Sequence, residues 1–241
     1  HEVLTLTIDR PEKKNALTRE MYEALARAIR EGGENEAIGA IVLRGAGGVF
    51  TAGNDLRDFQ ARARDPGDTR PSGGMQLLEA VAGCQAPLLA SVAGLAIGIG
   101  TTALLHCDFV YATRGARFRT PFVDLGLSVE GGSSLLLPQA IGPRAANEML
   151  LMGEELDAER ALALGLVNAL VPEVDLDTFT QEKARALAAK PRQALRTAKR
   201  MLREARGSSV MDTIQREYVA FSERLRSAEA QAIIARFFQP A

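Results

Sequence analysis

The sequence predicts an α/β protein with a helical C-terminal third, and three observations predict it. Strand-like alternation and helix-like spacing take turns through the first half to two-thirds of the chain. Glycine-rich turns stand where strands give way to helices, and from about residue 143 the apolar period is helical throughout. In order, "VLTLTID" alternates as a strand does and is stopped by Pro11. "TREMYEALARAIREG" follows with apolar residues at helical spacing behind a Thr18 N-cap, and "AIGAIVLRGAG" is a buried strand ending in glycines. A third strand is expected at "APLLASVAG", a helix at "TTALLHC" and a fourth strand at "DFVYAT". Beyond residue 143, "PRAANEMLLMGEEL", "DAERALALG", "LDTFTQEKARALAA", "PRQALRTAKRMLREA" and "VMDTIQREYVAFSERLRS" read as helices with charged outer faces, of the kind that cap a core or join subunits. "ARARDPGDTRPSGG", residues 61–74, is polar and rich in Gly and Pro, and reads as a mobile loop.

Composition narrows the function. With 241 residues, 46% hydrophobic and 24% charged, the chain is long enough for one sizeable core. Its 29 basic and 30 acidic residues give a net charge of -1, which points neither to nucleic acid nor to an anionic membrane surface. Cys84 and Cys107 are too few for a disulfide framework and lack metal-type spacing, so they are expected to be free buried thiols in a cytoplasmic protein. The longest apolar stretch, "APLLASVAGLAIGIG", is interrupted by Gly and Ser and falls short of the ~20 apolar residues of a membrane span. "HEVLTLTIDRP" is expected to be a strand and not a signal peptide.

Two segments combine small residues with a strand-to-helix transition: "FTAGNDL", Phe50 to Leu56, and "GLAIGIGTTALLHCD", Gly94 to Asp108. In the second, Gly98 and Gly100 let the backbone approach a ligand as a helix begins, where free N–H groups favour a developing negative charge. Other chemistries fit poorly. There is no G-x-x-x-x-G-K-[ST], "GIGTTA" lacks the rest of a dinucleotide fingerprint, and no G-x-S-x-G occurs. His106, inside the apolar "ALLHCDF", reads as a satisfied structural histidine, and no His/Cys/Asp/Glu set has metal spacing, so no metal site is expected. What remains is backbone donors and a carboxylate, Glu130, set in "LGLSVEGGSS" with no basic residue nearer on its C-terminal side than Arg144. Such a set suits proton transfer next to a thioester carbonyl. Glu130 could instead be an acidic charge at the N-terminus of a helix beginning at "GGSSLLLP".

Taken together and in this order, "IDRPEKKNALT", "VFTAGNDL", "ASVAGLAIGIGTTALLHCD", "FRTPFVDLGLSVEGGSS", "LLMGEELDAERALALGLVN" and "LAAKPRQALRTAKRML" resemble the enoyl-CoA hydratase/isomerase (crotonase) superfamily over nearly the whole chain. The resemblance implies a spiral of β-β-α turns in residues 1–180 carrying an acyl-CoA site, and a helical oligomerisation region in 181–241 that forms trimers or hexamers. It implies an oxyanion hole from the backbone N–H groups of Asn54 and Ile99, with isoleucine standing where glycine is frequent. It puts coenzyme A contacts on Lys13, Ala16, Ala52, Asn54, Asp55 and Leu56, the coenzyme entering as part of the substrate and no separate cofactor being needed. Lys13 and Lys14 could meet phosphates or remain solvated charges.

The same resemblance sorts the carboxylates. The two glutamates of typical hydratases would fall on Thr102 and Phe122, neither of which can serve as acid or base. Glu130 falls where the Δ3,Δ2-enoyl-CoA isomerases carry their single glutamate, with Val129 in place of a proline. The expected activity is therefore that of an enzyme of fatty-acid metabolism moving a 3-enoyl-CoA double bond to position 2. A hydratase and a non-catalytic acyl-CoA-binding protein are the alternatives. Asp124 reads as a strand-end or salt-bridging residue before a second catalyst, and Asp55 as a helix cap. "IIARFFQPA" lacks the Lys-rich end of many relatives, which leaves open a coenzyme A contact from a neighbouring subunit.

Overall fold

The computed structural model describes residues 1–64, 72–207 and 209–238. Eight strands follow one another among these residues: β1 (Glu2–Ile8), β2 (Ile38–Gly45), β3 (Leu88–Val92), β4 (Leu95–Ile97), β5 (Phe109–Ala112), β6 (Arg117–Arg119), β7 (Leu156–Asp157) and β8 (Ala169–Leu170). A parallel sheet takes the order β1-β2-β3-β5-β8, and a smaller one the order β4-β6-β7, with only the β6–β7 pair antiparallel. The helices are α1 (Arg19–Glu34), α2 (Leu56–Arg64), α3 (Gly73–Gly83), α4 (Ile99–Thr102), α5 (Ser133–Ile141), α6 (Pro143–Met152), α7 (Ala158–Leu164), α8 (Leu176–Ala188), α9 (Arg192–Ala205), α10 (Ser209–Leu225) and α11 (Ala228–Arg236).

The large sheet is apolar on both faces because both are covered. Along β2, Ile41 and Leu43 enter the main core, where α1 and α3 also pack, while Ala40 and Val42 enter a second core closed by Leu176 and Ala184 of α8. β3 divides in the same way, Leu88, Ala90 and Val92 to one side and Leu89 to the other. α1 starts where the sequence predicts: Thr18 Oγ1 accepts from the Met21 amide.

A repeated path makes the spiral. The chain climbs β3, crosses to β4 and enters α4; it then climbs β5 and crosses to β6 before reaching the turn that starts α5. After β2 the same crossing is made by Thr51, which bridges to Ala96 of β4. Of the residues just past each crossing, Asn54, Gly98 and Phe122 border one cavity, and Asn54 and Ile99 border a smaller one.

Three expectations need correction. The C-terminal third contains β7 and β8 as well as helices; at two residues each they are too short to show alternation. Residues 61–64 end α2 and Ser72 caps α3, so the polar stretch is partly helical, and 65–71 lie outside the described residues. α9 turns a charged face inward: Arg192, Arg196, Lys199, Arg203 and Arg206, at spacings of 4, 3, 4 and 3, donate to carbonyl oxygens of Asn35, Gly33, Ala86, Val81 and Leu105. Several of those carbonyls end α1 and α3, whose partial negative charge draws cations. Met201 and Leu202 face outward instead. Among the described residues no helix is long and apolar enough to cross a membrane.

Candidate active site

Asn54 is held from two sides. Leu17 pairs with its neighbours, donating to Gly53 O (2.8 Å) and accepting from the Asp55 amide (3.0 Å), which in strand geometry turns the Asn54 N–H the other way. The Asn54 side chain accepts from the buried Tyr22 hydroxyl at 2.8 Å. Ile99 opens α4 behind Gly98, whose φ of +57° a residue with a side chain would resist. Among the described residues neither the Asn54 nor the Ile99 amide has a protein acceptor. Gly100 serves packing and not ligand approach, because a Cβ there would meet Thr51 Cγ2 at 2.5 Å.

Both residues line a small inner chamber of about 40 Å³ with Glu130, Met75, Leu78, Ile214, Tyr218 and Phe221. Glu130 keeps part of its surface open to this chamber, whose walls are largely apolar. Loss of hydration pushes its carboxyl up to about 7; the Thr102 hydroxyl, donating to Oε1 at 2.5 Å, pulls it back, and the charge of Glu217 pushes it further. Among the described residues Glu130 is the one carboxylate in the chamber wall. Burial, followed by the nearby charge of Glu130, pushes the Tyr22 phenol well above its ordinary range.

The helix-cap role open to Glu130 in the sequence belongs to another residue. Glu217 of α10, itself buried, accepts from the amides of Gly132 (2.6 Å) and Ser134 (2.9 Å) and from the Ser134 hydroxyl (2.5 Å) at the start of α5. His106 is structural, as expected: its Nε2 is 2.8 Å from Gly131 O, and burial lowers its pKa to about 4, so the neutral ring donates there.

Outside the chamber a cavity of about 900 Å³ is lined by Lys13, Ala16, Ala52, Asn54, Asp55 and Leu56 together, with Arg10, Arg57, Arg119, Phe237 and Phe238 around them. Lys14 is absent from that lining. Asp55 accepts from the Arg57 amide and from Arg10 at the start of α2; burial opposes its charge, but these donors hold its carboxyl below the usual range. Asp124 pairs with Arg119 at 2.9 Å, the salt-bridging role expected of it. Thr102 touches Glu130, and Phe122 packs edge-on against Phe221 with centroids 6.2 Å apart. Sequence reasoning missed Tyr22, Glu217, Phe221 and the Phe237–Phe238 pair; the first three sit on helices whose period explains them as core or surface, and the pair follows the end of α11, so no local signal marked them.

A family model described as enoyl-CoA hydratase/isomerase matches residues 1–239. The chain belongs to the enoyl-CoA hydratase/isomerase family. Within the family it is similar to human enoyl-CoA delta isomerase 2, 36% identical over 206 residues that cover 84% of this chain and 52% of that protein. It therefore spans about half the length of that relative. It is also similar to a probable enoyl-CoA hydratase of Mycobacterium tuberculosis, 35% identical over 89% of this chain and 83% of the other. The crystal structure of an enoyl-CoA hydratase/isomerase from Pseudoalteromonas atlantica superposes with a TM-score of 0.91 at 42% identity, covering 98% and 93% of the two chains. The fold is thus that of the crotonase superfamily.

Proposed function

We propose that this chain is an isomerase of fatty-acid metabolism that moves the double bond of a 3-enoyl-CoA into conjugation at position 2. The observation that carries the reading is a carboxylate, its pKa raised to about 7, that is alone of its kind in a small apolar chamber and shares it with two backbone amides without a protein acceptor, both among the described residues. The Asn54 and Ile99 N–H groups hold the thioester oxygen, each worth roughly 3 kcal/mol as the enolate develops. Glu130 takes a proton from C2; the electron pair spreads over the dienolate, and the same carboxyl returns the proton to C4. A carboxylate near pH 7 suits both halves, strong enough as a base and acidic enough on return. The Thr102 hydroxyl occupies Oε1 and leaves Oε2 for substrate.

Hydration is disfavoured because a water molecule would need its own activating group, and Thr102 and Phe122 offer none. Lys13, Ala16, Ala52, Asn54, Asp55 and Leu56 hold the coenzyme A portion in the outer cavity, with Lys13 and the neighbouring arginines toward the phosphates. In this reading coenzyme A arrives with the substrate, no separate cofactor is used, the protein works in the cytoplasm, and residues 181–241 join copies into a homotrimer or hexamer.

The test is a side-by-side assay of trans-3-hexenoyl-CoA and crotonyl-CoA. Conjugated enoyl thioester is expected to form rapidly from the first, with negligible hydration of the second. The reverse result would make the protein a hydratase, and turnover of neither without exchange of deuterium into a bound acyl-CoA would make it a binding protein.

A further inference from the structure

Glu130 opens a turn that is weakly determined by its own sequence. Gly131 and Gly132 follow it with φ of +74° and +76°, and two successive glycines carry little intrinsic preference for one conformation. The turn is instead held from opposite sides. His106 takes the Gly131 carbonyl, while Glu217 takes the Gly132 amide and both donors of Ser134. The Ser133 amide then donates back to the Glu130 carbonyl at 3.2 Å, which ties the backbone of Glu130 to the clamped segment. Glu217 lies on α10 beside Ile214, Tyr218 and Phe221, all of which wall the Glu130 chamber.

We propose that Glu217 is a positioning residue for Glu130: reaching in from α10, it fixes the 130–134 turn against His106 and so makes a C-terminal helix part of the acid/base apparatus. The proposal rests on the reading of Glu130 as the proton shuttle. A helix cap alone would explain the three hydrogen bonds, but a cap acts on stability only. A buried carboxylate this close also acts on the proton affinity of Glu130, in the direction that a like charge dictates. Among the described residues, the other titratable groups set about Glu130 are Tyr22 from α1, Tyr218 from α10 and, behind Gly131, neutral His106. Glu217 is the carboxylate among them.

The experiment measures kcat and KM for trans-3-hexenoyl-CoA from pH 5 to 9 in the wild type, Glu217→Gln, Glu217→Asp and Ser134→Ala. An infrared titration of the Glu130 carboxyl, identified by difference against Glu130→Gln, accompanies it. Glu217→Gln is expected to lower kcat about ten- to a hundredfold with KM little changed, through misplacement of the shuttle. Its acid limb and the infrared midpoint of Glu130 should both move to lower pH, because a like charge has gone. Ser134→Ala leaves that charge in place, so a smaller loss of kcat with an unmoved limb is expected. Should Glu217→Gln not fold, Glu217→Asp, which keeps the charge on a shorter stem, is expected to lower kcat with the limb in place. Wild-type kcat and midpoint in a folded Glu217→Gln, or wild-type kcat in Glu217→Asp, would overturn the proposal. Full activity in Glu130→Gln would instead overturn the reading of Glu130, and the infrared midpoint would still decide the effect of Glu217 without any turnover.

Discussion

Asp108 and Glu130 are both carboxylates set into the protein, and they are treated oppositely. Asp108 Oδ2 accepts from Lys199 Nζ at 2.5 Å and from the Leu88 amide at 2.7 Å, a full countercharge at the place where α9 docks. Among the described residues the Glu130 carboxylate has one neutral hydroxyl, from Thr102, and a like charge behind the turn in Glu217. A buried pair left with one partner costs several kcal/mol, so structural charges are matched. In the proposed function the unmatched charge is the one whose altered proton affinity is used, so the difference between the two regions separates a charge that holds the fold from one proposed for chemistry.

The sharpest way to break this comparison is to neutralise Glu130. Glu130→Gln should lower isomerisation of trans-3-hexenoyl-CoA by about a thousandfold or more, while affinity for coenzyme A stays within about twofold. The same substitution should stabilise the fold in alkaline solution. The folded pKa of Glu130 is raised above its ordinary 4.5 to about 7, so the folded state binds more protons than the unfolded one between those values. Stability is therefore lost as pH rises through that window. Glutamine has no such loss, and melts at pH 8 and pH 5 should show the variant more stable than wild type at pH 8 by about 2 kcal/mol, after discounting for water the chamber admits, with little difference at pH 5. An equal or lower melting point at pH 8 would mean that the carboxylate is better matched than its surroundings indicate.

Removing the matched cation should do the reverse. Lys199→Met keeps the aliphatic stem but leaves Asp108 without its countercharge, and is expected to cost about 3 kcal/mol in chemical denaturation. Burial lowers the Lys199 pKa, and Asp108 opposes that shift, so the ammonium depends on its partner to remain charged. The folded fraction of Lys199→Met should keep wild-type kcat and KM, since α9 contributes no residue to the cavity or the chamber. A change in kcat without a change in stability would erase the distinction between the two regions.

How far the sequence reveals this depends on how local each signal is. β1 to β3, α1 and β5 are legible because alternation, helical spacing, the Thr18 cap and Pro11 lie within a few residues of what they determine. The segments that carry Asn54 and Ile99 are legible for the same reason, as small-residue turns at strand ends. The inward face of α9 is not: a stripe of arginine and lysine at helical spacing reads as solvated until the carbonyl ends of α1 and α3 are seen beneath it. Glu217 is hidden similarly, because "IQREYVAF" is an ordinary amphipathic stretch whose glutamate gains meaning only from amides more than eighty residues away in the chain. Glu130 lies between the two cases. Its setting among glycines is visible, but the choice between cap and free carboxylate depends on Glu217 occupying the helix start.

The smallest effect tests the one hydrogen bond that the Glu130 carboxylate receives among the described residues. Thr102→Val keeps the shape of the side chain and removes the hydroxyl that donates to Oε1. That donor favours the ionised form and partly offsets the effect of burial, so its loss should raise the Glu130 pKa further and move the acid limb of kcat/KM to higher pH. Activity should fall by about tenfold near pH 6 and by less near pH 9, where the carboxyl ionises in either protein. The shift is opposite in sign to the one expected for Glu217→Gln, because one substitution removes a donor to the charge and the other removes a like charge. A limb that stays in place would show that the hydroxyl does not serve the ionised carboxylate, and Thr102 would then count as packing for the 130–132 turn rather than as the counterpart of the donors that Asp108 receives.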